Sequence, residues 1–208
     1  MQTRDESLLI DTLSQLSENA RAAFAAACAE RLMPYYVQYA KLFKKGDPAV
    51  LREGLDLVWE HALDRQPPVK GLQPLAARAM ELAPGDGDKW TALNRLAENA
   101  AAAVYYCLEC RMKGDTKNAV LASRQAYEAV DYLTQNIRHI QFGSRESEEA
   151  ILRDRLVQDE LSRQQRDLEL LETGDLNHSA LHVMKARAER EGTELLNATV
   201  ADYLATIA

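Results

Sequence analysis

A chain of 208 residues, 27% charged and 47% hydrophobic with only 9 glycines and 6 prolines, fits one globular domain over 1–208 and excludes disordered, collagen-like and glycine-rich fibrous polymers. Its 32 acidic and 25 basic residues leave a formal charge of −7, which keeps a chain soluble and repels a phosphate backbone unless folding segregates a basic face. Basic residues alternate with acids, notably from Arg145 to Glu169, so no nucleic-acid partner is expected.

The start, MQTRDESLLIDTLSQL, lacks a long apolar core and a small-residue cleavage site, and no later stretch approaches the roughly 20 apolar residues that span a bilayer. A cytoplasmic protein with no membrane partner is expected. Leu8, Leu9, Leu13 and Leu16 recur at helical spacing, and Phe24, Cys28 and Leu32 stand four apart within Asn19 to Met33, which predicts an apolar helix face. The alanines between Ala22 and Ala29 favour helix and leave room for close neighbours. Pro34 lacks an amide hydrogen and predicts a bend, followed by a short helix carrying Tyr36, Tyr39 and Phe43. At Gly46-Asp47-Pro48, glycine closes a helix, aspartate caps the next and proline takes its first turn.

Leu51, Leu55, Val58, Trp59 and Ala62 form the next apolar stripe, ending before Asp64. Gln66-Pro67-Pro68 breaks it, and Leu72 to Leu82 reads equally as a helix or a connector. Pro84-Gly85-Asp86-Gly87-Asp88 is a turn whose acids lack the twelve-residue ligand pattern of a calcium loop. Asp88 then caps a long helix from Lys89 to Met112, and Lys113-Gly114-Asp115 turns into a second one from Thr116 to His139. Two long helices joined so tightly should pack antiparallel. Gly143 is expected to close the second and Ser144 to cap a charged helix running to about Leu171, with Glu149–Arg153 and Asp159–Arg163 as pairs at spacing four. Its leucines suit a bundle edge or a meeting with another subunit. Gly174-Asp175 precedes a final helix, Leu176 to Leu204, in which Gly192-Thr193 is a break or cap. The fold class expected is all-α, a compact multi-helix bundle with long antiparallel helices.

The chemistry-bearing residues do not assemble into a motif. His178 and His182 are four apart, but two imidazoles fall short of the three or four ligands zinc takes, and solvent exposure with capping by Asp175 is the simpler reading. Cys107 and Cys110 have redox spacing, yet sit late in an apolar helix rather than at a helix start, so buried structural thiols are expected; Cys28 completes a count too small for a disulfide scaffold. The residues three before His61, His139, His178 and His182 are Val58, Asn136, Asp175 and Ser179, so the Glu-x-x-His pairs of di-iron bundles are missing. Phosphate loops, dinucleotide fingerprints and a nucleophile elbow are absent as well. No catalytic, cofactor-binding or metal residue is assigned, and no cofactor is expected.

The segment CAERLMPYYVQYAKLF, followed by LDLVWE, resembles the bacterial YjaG family, a domain-of-unknown-function family. The likeness runs over most of the chain and is strongest in these two segments. It implies a compact, all-helical cytoplasmic protein and carries no catalytic motif onto Cys28, Tyr35, Trp59 or Glu60. Two functions fit the sequence. The first is a noncatalytic binding or assembly protein using helical surfaces, with a homodimer or protein partner. The alternative is a small-ligand binder or an unrecognised enzyme whose interhelical cleft is lined by Tyr35, Tyr36, Tyr39, Tyr105, Tyr106 and Trp59.

Overall fold

The apolar stripes are realised as nine α-helices, with no strand among the described residues. The computed structural model describes residues 1–63, 69–85, 91–141, 143–174 and 176–203, without the side chains of 69 and 200–203. The helices are α1 (Glu6–Gln15), α2 (Glu18–Phe43), α3 (Pro48–Glu60), α4 (Val69–Glu81), α5 (Ala92–Lys113), α6 (Thr116–Ile137), α7 (Arg145–Arg153), α8 (Arg155–Glu172) and α9 (His178–Tyr203). They form a compact all-α bundle around α2, which packs against α3, α5, α6, α8 and α9.

Every residue from Ala22 to Met33 is buried, so α2 shows no single apolar face; it is enclosed. The alanines make that possible, because small side chains let several helices approach one axis. The bend expected at Pro34 does not interrupt the element, since α2 continues through it to Phe43. Proline removes one intrahelical bond and costs a helix interior about 3 kcal/mol. Burial beyond it opposes that cost: Tyr35, Tyr36 and Tyr39 are all enclosed, and the Tyr36 hydroxyl donates to the Leu82 carbonyl at 2.8 Å. The helix ends at Lys44, in the left-handed conformation (φ 55°), two residues before the predicted Gly46. Gly46 is still required. Its φ is +78° and an added Cβ would stand 2.5 Å from the Tyr36 hydroxyl. Asp47 then caps α3 by accepting from the Ala49 amide (3.1 Å), with Pro48 in the first turn, as its sequence predicts.

The ambiguous stretch near Leu72 is helix α4, carrying Pro74 inside it. Asp64, the Gln66-Pro67-Pro68 break and the Asp86 to Trp90 part of the next turn lie outside the described residues. The described cap of α5 is Thr91, whose hydroxyl accepts from the Asn94 amide at 3.3 Å. Gly114 (φ +65°) closes α5 and Asp115 caps α6 through the Asn118 amide at 2.7 Å. The predicted hairpin is therefore present, with Leu96, Ala100, Val104 and Leu108 buried on α5 and Ala119, Ala122, Ala126, Val130 and Leu133 on α6.

The third quarter departs from expectation in two places. Helix α6 closes at His139 (φ 53°) rather than Gly143. The Ile140 amide reaches back to the Gln135 carbonyl at 2.9 Å, the 6→1 bond of a Schellman end, and Ile140 packs on the core as its hydrophobic partner. The expected continuous helix is two. Asp154 adopts an extended conformation, closes α7 with its amide on the Ile151 carbonyl, and opens α8 with its carboxylate on the Leu156 amide. A lone aspartate inside a charged helical pattern carries no break signal by itself. Ser144 does cap α7, through the Ser147 amide. Helix α8 does not project outward, because Val157, Leu161, Leu168 and Leu171 are buried against the bundle.

Helix α9 is entered through Asn177, which accepts from the Ala180 amide at 3.0 Å, whereas Asp175 and Leu204 lie outside the described residues. Gly192 neither breaks nor caps it. An added Cβ there would meet the Arg31 carbonyl oxygen at 2.7 Å and its Cα at 2.9 Å, so this glycine sets the close crossing of α9 over α2.

Candidate binding recess and the buried charge network behind it

Glu30 and Arg31 interrupt the apolar run of α2, and both are buried. Burying a charge is costly unless it is paired. Glu30 is met by Arg52 of α3 in a two-pronged pair (2.7 and 2.6 Å) and by the Trp59 indole nitrogen at 2.9 Å. Asp56 extends the chain of charge from Arg52 (3.0 Å) to Lys185 on α9 (2.6 Å).

Arg31 lies at the centre of a larger network between α2, α8 and α9. Its Nη1 donates to Asp167 Oδ2 at 2.7 Å, its Nε stands 3.2 Å from Glu160 Oε2, and Glu191 Oε2 is 3.7 Å from Nη1. Arg31, Glu160 and Asp167 are each 1% exposed. Arg187 closes on the second Asp167 oxygen at 2.6 Å and Arg166 on Glu191 at 2.9 Å. Gln164 ties Glu160 to the Ser123 carbonyl of α6. Burial alone would lower the Arg31 pKa, but the Glu160 and Asp167 carboxylates more than reverse it and the net shift is upward.

Arg163 joins the network more loosely. Its predicted partner, Asp159, turns instead to Arg155 at 3.4 Å, while Arg163 points inward, 3.7 Å from Glu160 and 4.0 Å from Glu191. At those distances its buried Nη1 makes no hydrogen bond. With Arg163 included, four guanidinium groups (Arg31, Arg163, Arg166, Arg187) face three carboxylates (Glu160, Asp167, Glu191). The network holds one positive charge in excess when all are ionised.

Burial raises the Glu191 carboxyl above the ordinary range, with Asp167 adding to the rise and Arg31, Arg166 and Arg163 opposing it. A carboxyl raised in the fold still holds its proton where the unfolded chain has lost its own. Stability therefore falls as pH rises through that window and is fully retained below it. Glu191→Gln removes this titration. In urea denaturation series between about pH 4 and 8, the stability of the variant relative to the unsubstituted chain should climb with pH. A difference that stays flat would mean that Glu191 titrates as a surface carboxylate.

Arg163 also lines a recess of about 320 Å³ open to solvent. Ile137 and Arg138 bound it from the end of α6, Arg155, Leu156 and Asp159 from the first turns of α8, and Glu194, Leu195, Ala198 and Thr199 from α9. Thr199 is buried at its floor, with its hydroxyl proton on the Leu195 carbonyl (2.8 Å) and its oxygen 2.8 Å from the Tyr35 hydroxyl. That leaves the phenol as donor in the second bond. Arg138 holds Asp154 at 2.9 Å, the residue that opens α8.

The other predicted site residues are elsewhere. Tyr35, Tyr36 and Tyr39 are packed within the bundle, Tyr105 and Tyr106 are half-buried against each other with ring centroids 5.2 Å apart, and Trp59 is 8% exposed. Tyr35, Tyr36 and Tyr39 fill interhelical space, and none of the six rings lines the recess between α6, α8 and α9. Cys28, Cys107 and Cys110 are free, buried thiols; burial raises all three pKa values, that of Cys110 to about 12, the opposite of what thiolate chemistry requires. His178 and His182 are exposed on the first turns of α9. Among the described residues no group of three or more His, Cys, Asp or Glu is placed to hold a metal, and no helix is long and apolar enough to cross a membrane. Sequence reasoning missed Arg31, Arg163, Glu160, Asp167 and Glu191. The available signal was the spacing of Glu160, Gln164 and Asp167, which puts three polar residues on the face of α8 that also carries Leu161 and Leu168.

Fold and interior together define an all-helical bundle organised around a buried charge network. Residues 9–195 match the family described as a protein of unknown function, DUF416, and the chain belongs to that family. A crystal structure of a DUF416 family protein from Shewanella baltica OS155 superimposes with a TM-score of 0.76 at 18% identity, covering 86% of this chain and 92% of that one. At that identity the likeness establishes the fold alone. No curated protein matches the chain.

Proposed function

We propose that this chain is a noncatalytic binding protein of the bacterial cytoplasm and that it binds at the recess between α6, α8 and α9. The narrower affinity with the YjaG family, read from Cys28–Phe43 and Leu55–Glu60, belongs to the same proposal. The observation that supports it is the recess itself, about 320 Å³ between α6, α8 and α9 with a lining that mixes apolar and charged side chains. Ile137, Leu156, Leu195 and Ala198 converge there with Arg138, Arg155, Arg163, Asp159 and Glu194, and ligand pockets combine apolar walls with a few placed polar groups in this way.

Native mass spectrometry of untagged protein, isolated gently from its own cells, tests the reading. A reproducible mass above that of the bare chain is expected, lost under denaturing conditions. A bare monomer at every gentle ionisation setting overturns it.

A further inference from the structure

We infer that residues 1–5, the segment before α1, form a latch: seated across α6, α7 and α8, they hold α7 against the bundle and close a groove that their release opens. The grip is Gln158, in the first turn of α8. Its side-chain oxygen accepts from the Gln2 amide at 2.8 Å, and its nitrogen donates to the Gln2 carbonyl and to the Leu152 carbonyl of α7, each at 2.8 Å. One primary amide thus commits an acceptor and both of its donors to three backbone groups. Turning it over would set its oxygen against two carbonyls, so the segment and α7 are held by the same side-chain orientation.

Arg4 supplies the second anchor. Its guanidinium lies over the Tyr127 ring of α6, 5.0 Å from the centroid, a cation–π contact strengthened by partial burial, with the side chain 17% exposed. Glu6 follows with a bond from Arg124, also on α6. The segment therefore bridges α6 and the joint between α7 and α8.

Helix α7 depends on such a bridge. It has nine residues, of which Ile151 alone is buried, and a helix that short does not hold by itself in water. Its last carbonyls have no partner within the helix; the Asp154 amide takes that of Ile151, and Gln158 takes that of Leu152. The bridge is also easily lifted, because Met1, Gln2 and Thr3 are exposed and little apolar surface leaves the core with them. Thr3 and Arg4 form the wall between two recesses, about 510 Å³ beside Leu161 and Leu168 and about 420 Å³ beside Ile151 and Leu152. With the segment raised, the two become one groove with these four side chains along it.

Hydrogen–deuterium exchange of the full chain tests the latch. Gln158→Ala removes three hydrogen bonds at a helical position where alanine is well tolerated, and the amides of residues 148–154 should exchange about tenfold faster or more. Arg4→Met is the deciding variant, because its anchor is on α6: it should speed the same α7 amides several-fold by loosening the segment. Gln165→Ala, at an exposed position of α8 bonded to Glu169, should leave them unchanged, and residues 100–110 of α5 should keep their protection throughout. Unchanged α7 exchange in Arg4→Met, the same acceleration in Gln165→Ala, or equal acceleration in α5 overturns the latch. Gln158→Ala and Arg4→Met should also enhance the fluorescence of 8-anilinonaphthalene-1-sulfonate, a dye for exposed apolar surface; no gain over the unsubstituted chain overturns the groove.

Discussion

Arg31→Met should destabilise the fold by about 3–5 kcal/mol, the usual consequence of removing one partner from a buried ion pair. The substitution keeps the length of the side chain and takes away the cation between Glu160 and Asp167, each of which is 1% exposed. Arg187 still reaches Asp167, at 2.6 Å, but the closest remaining arginine to Glu160 is Arg163, at 3.7 Å. For a chain of this size the loss corresponds to a fall in Tm on the order of 10 °C. Urea denaturation measures it directly. Replacing the central trio together, Arg31→Met with Glu160→Met and Asp167→Leu, should recover much of the loss, because no orphaned charge then stays buried. A loss below about 1 kcal/mol for Arg31→Met would show that the pair behaves as an exposed one.

Gly192→Ala should destabilise the chain by about 1–3 kcal/mol although alanine is the better helix former. The new methyl group would stand 2.7 Å from the Arg31 carbonyl oxygen and 2.9 Å from its Cα. Both are backbone atoms of an enclosed helix and cannot rotate aside, so α9 has to move off α2. Gly192→Val should cost more still. Gly71→Ala is the control, since Gly71 is an exposed residue of α4 with nothing within 4 Å of an added Cβ. There the substitution should stabilise by roughly 0.5–1 kcal/mol. Opposite signs for one chemical change, read in thermal melts, isolate the helix crossing as the cause. Because Gly192 presses on Arg31 itself, its variant combined with Arg31→Met should lose less than the sum of the two.

Much of the architecture was legible because local signals were strong. Asp47-Pro48, Gly114-Asp115 and Ser144 mark helix ends through bonds between residues two to four apart, and the apolar periodicity on either side of Gly114 fixes a hairpin without reference to the rest of the chain. Signals failed where the deciding interaction was remote or chemically ambiguous. Pro34 reads as a bend, yet the burial of Tyr35, Tyr36 and Tyr39 carries the helix through it. Gly192 reads as a break, yet it serves a backbone contact with a residue 161 positions earlier. Asp154 reads as one more helical acid and turns out to end one helix and begin another.

The tyrosines show the same division on the functional side. Their spacing is visible in the sequence, but whether a phenol lines a cleft or plugs one depends on what lies opposite, and Thr199 and the Leu82 carbonyl lie opposite Tyr35 and Tyr36. By itself the sequence determined the all-helical class, several helix ends and the hairpin, because 3.6-residue periodicity and capping are properties of short segments. Tertiary structure alone decided which charges went inside. Arg31, Glu160, Asp167 and Glu191 look like ordinary residues of charged helices until α2, α8 and α9 are brought together.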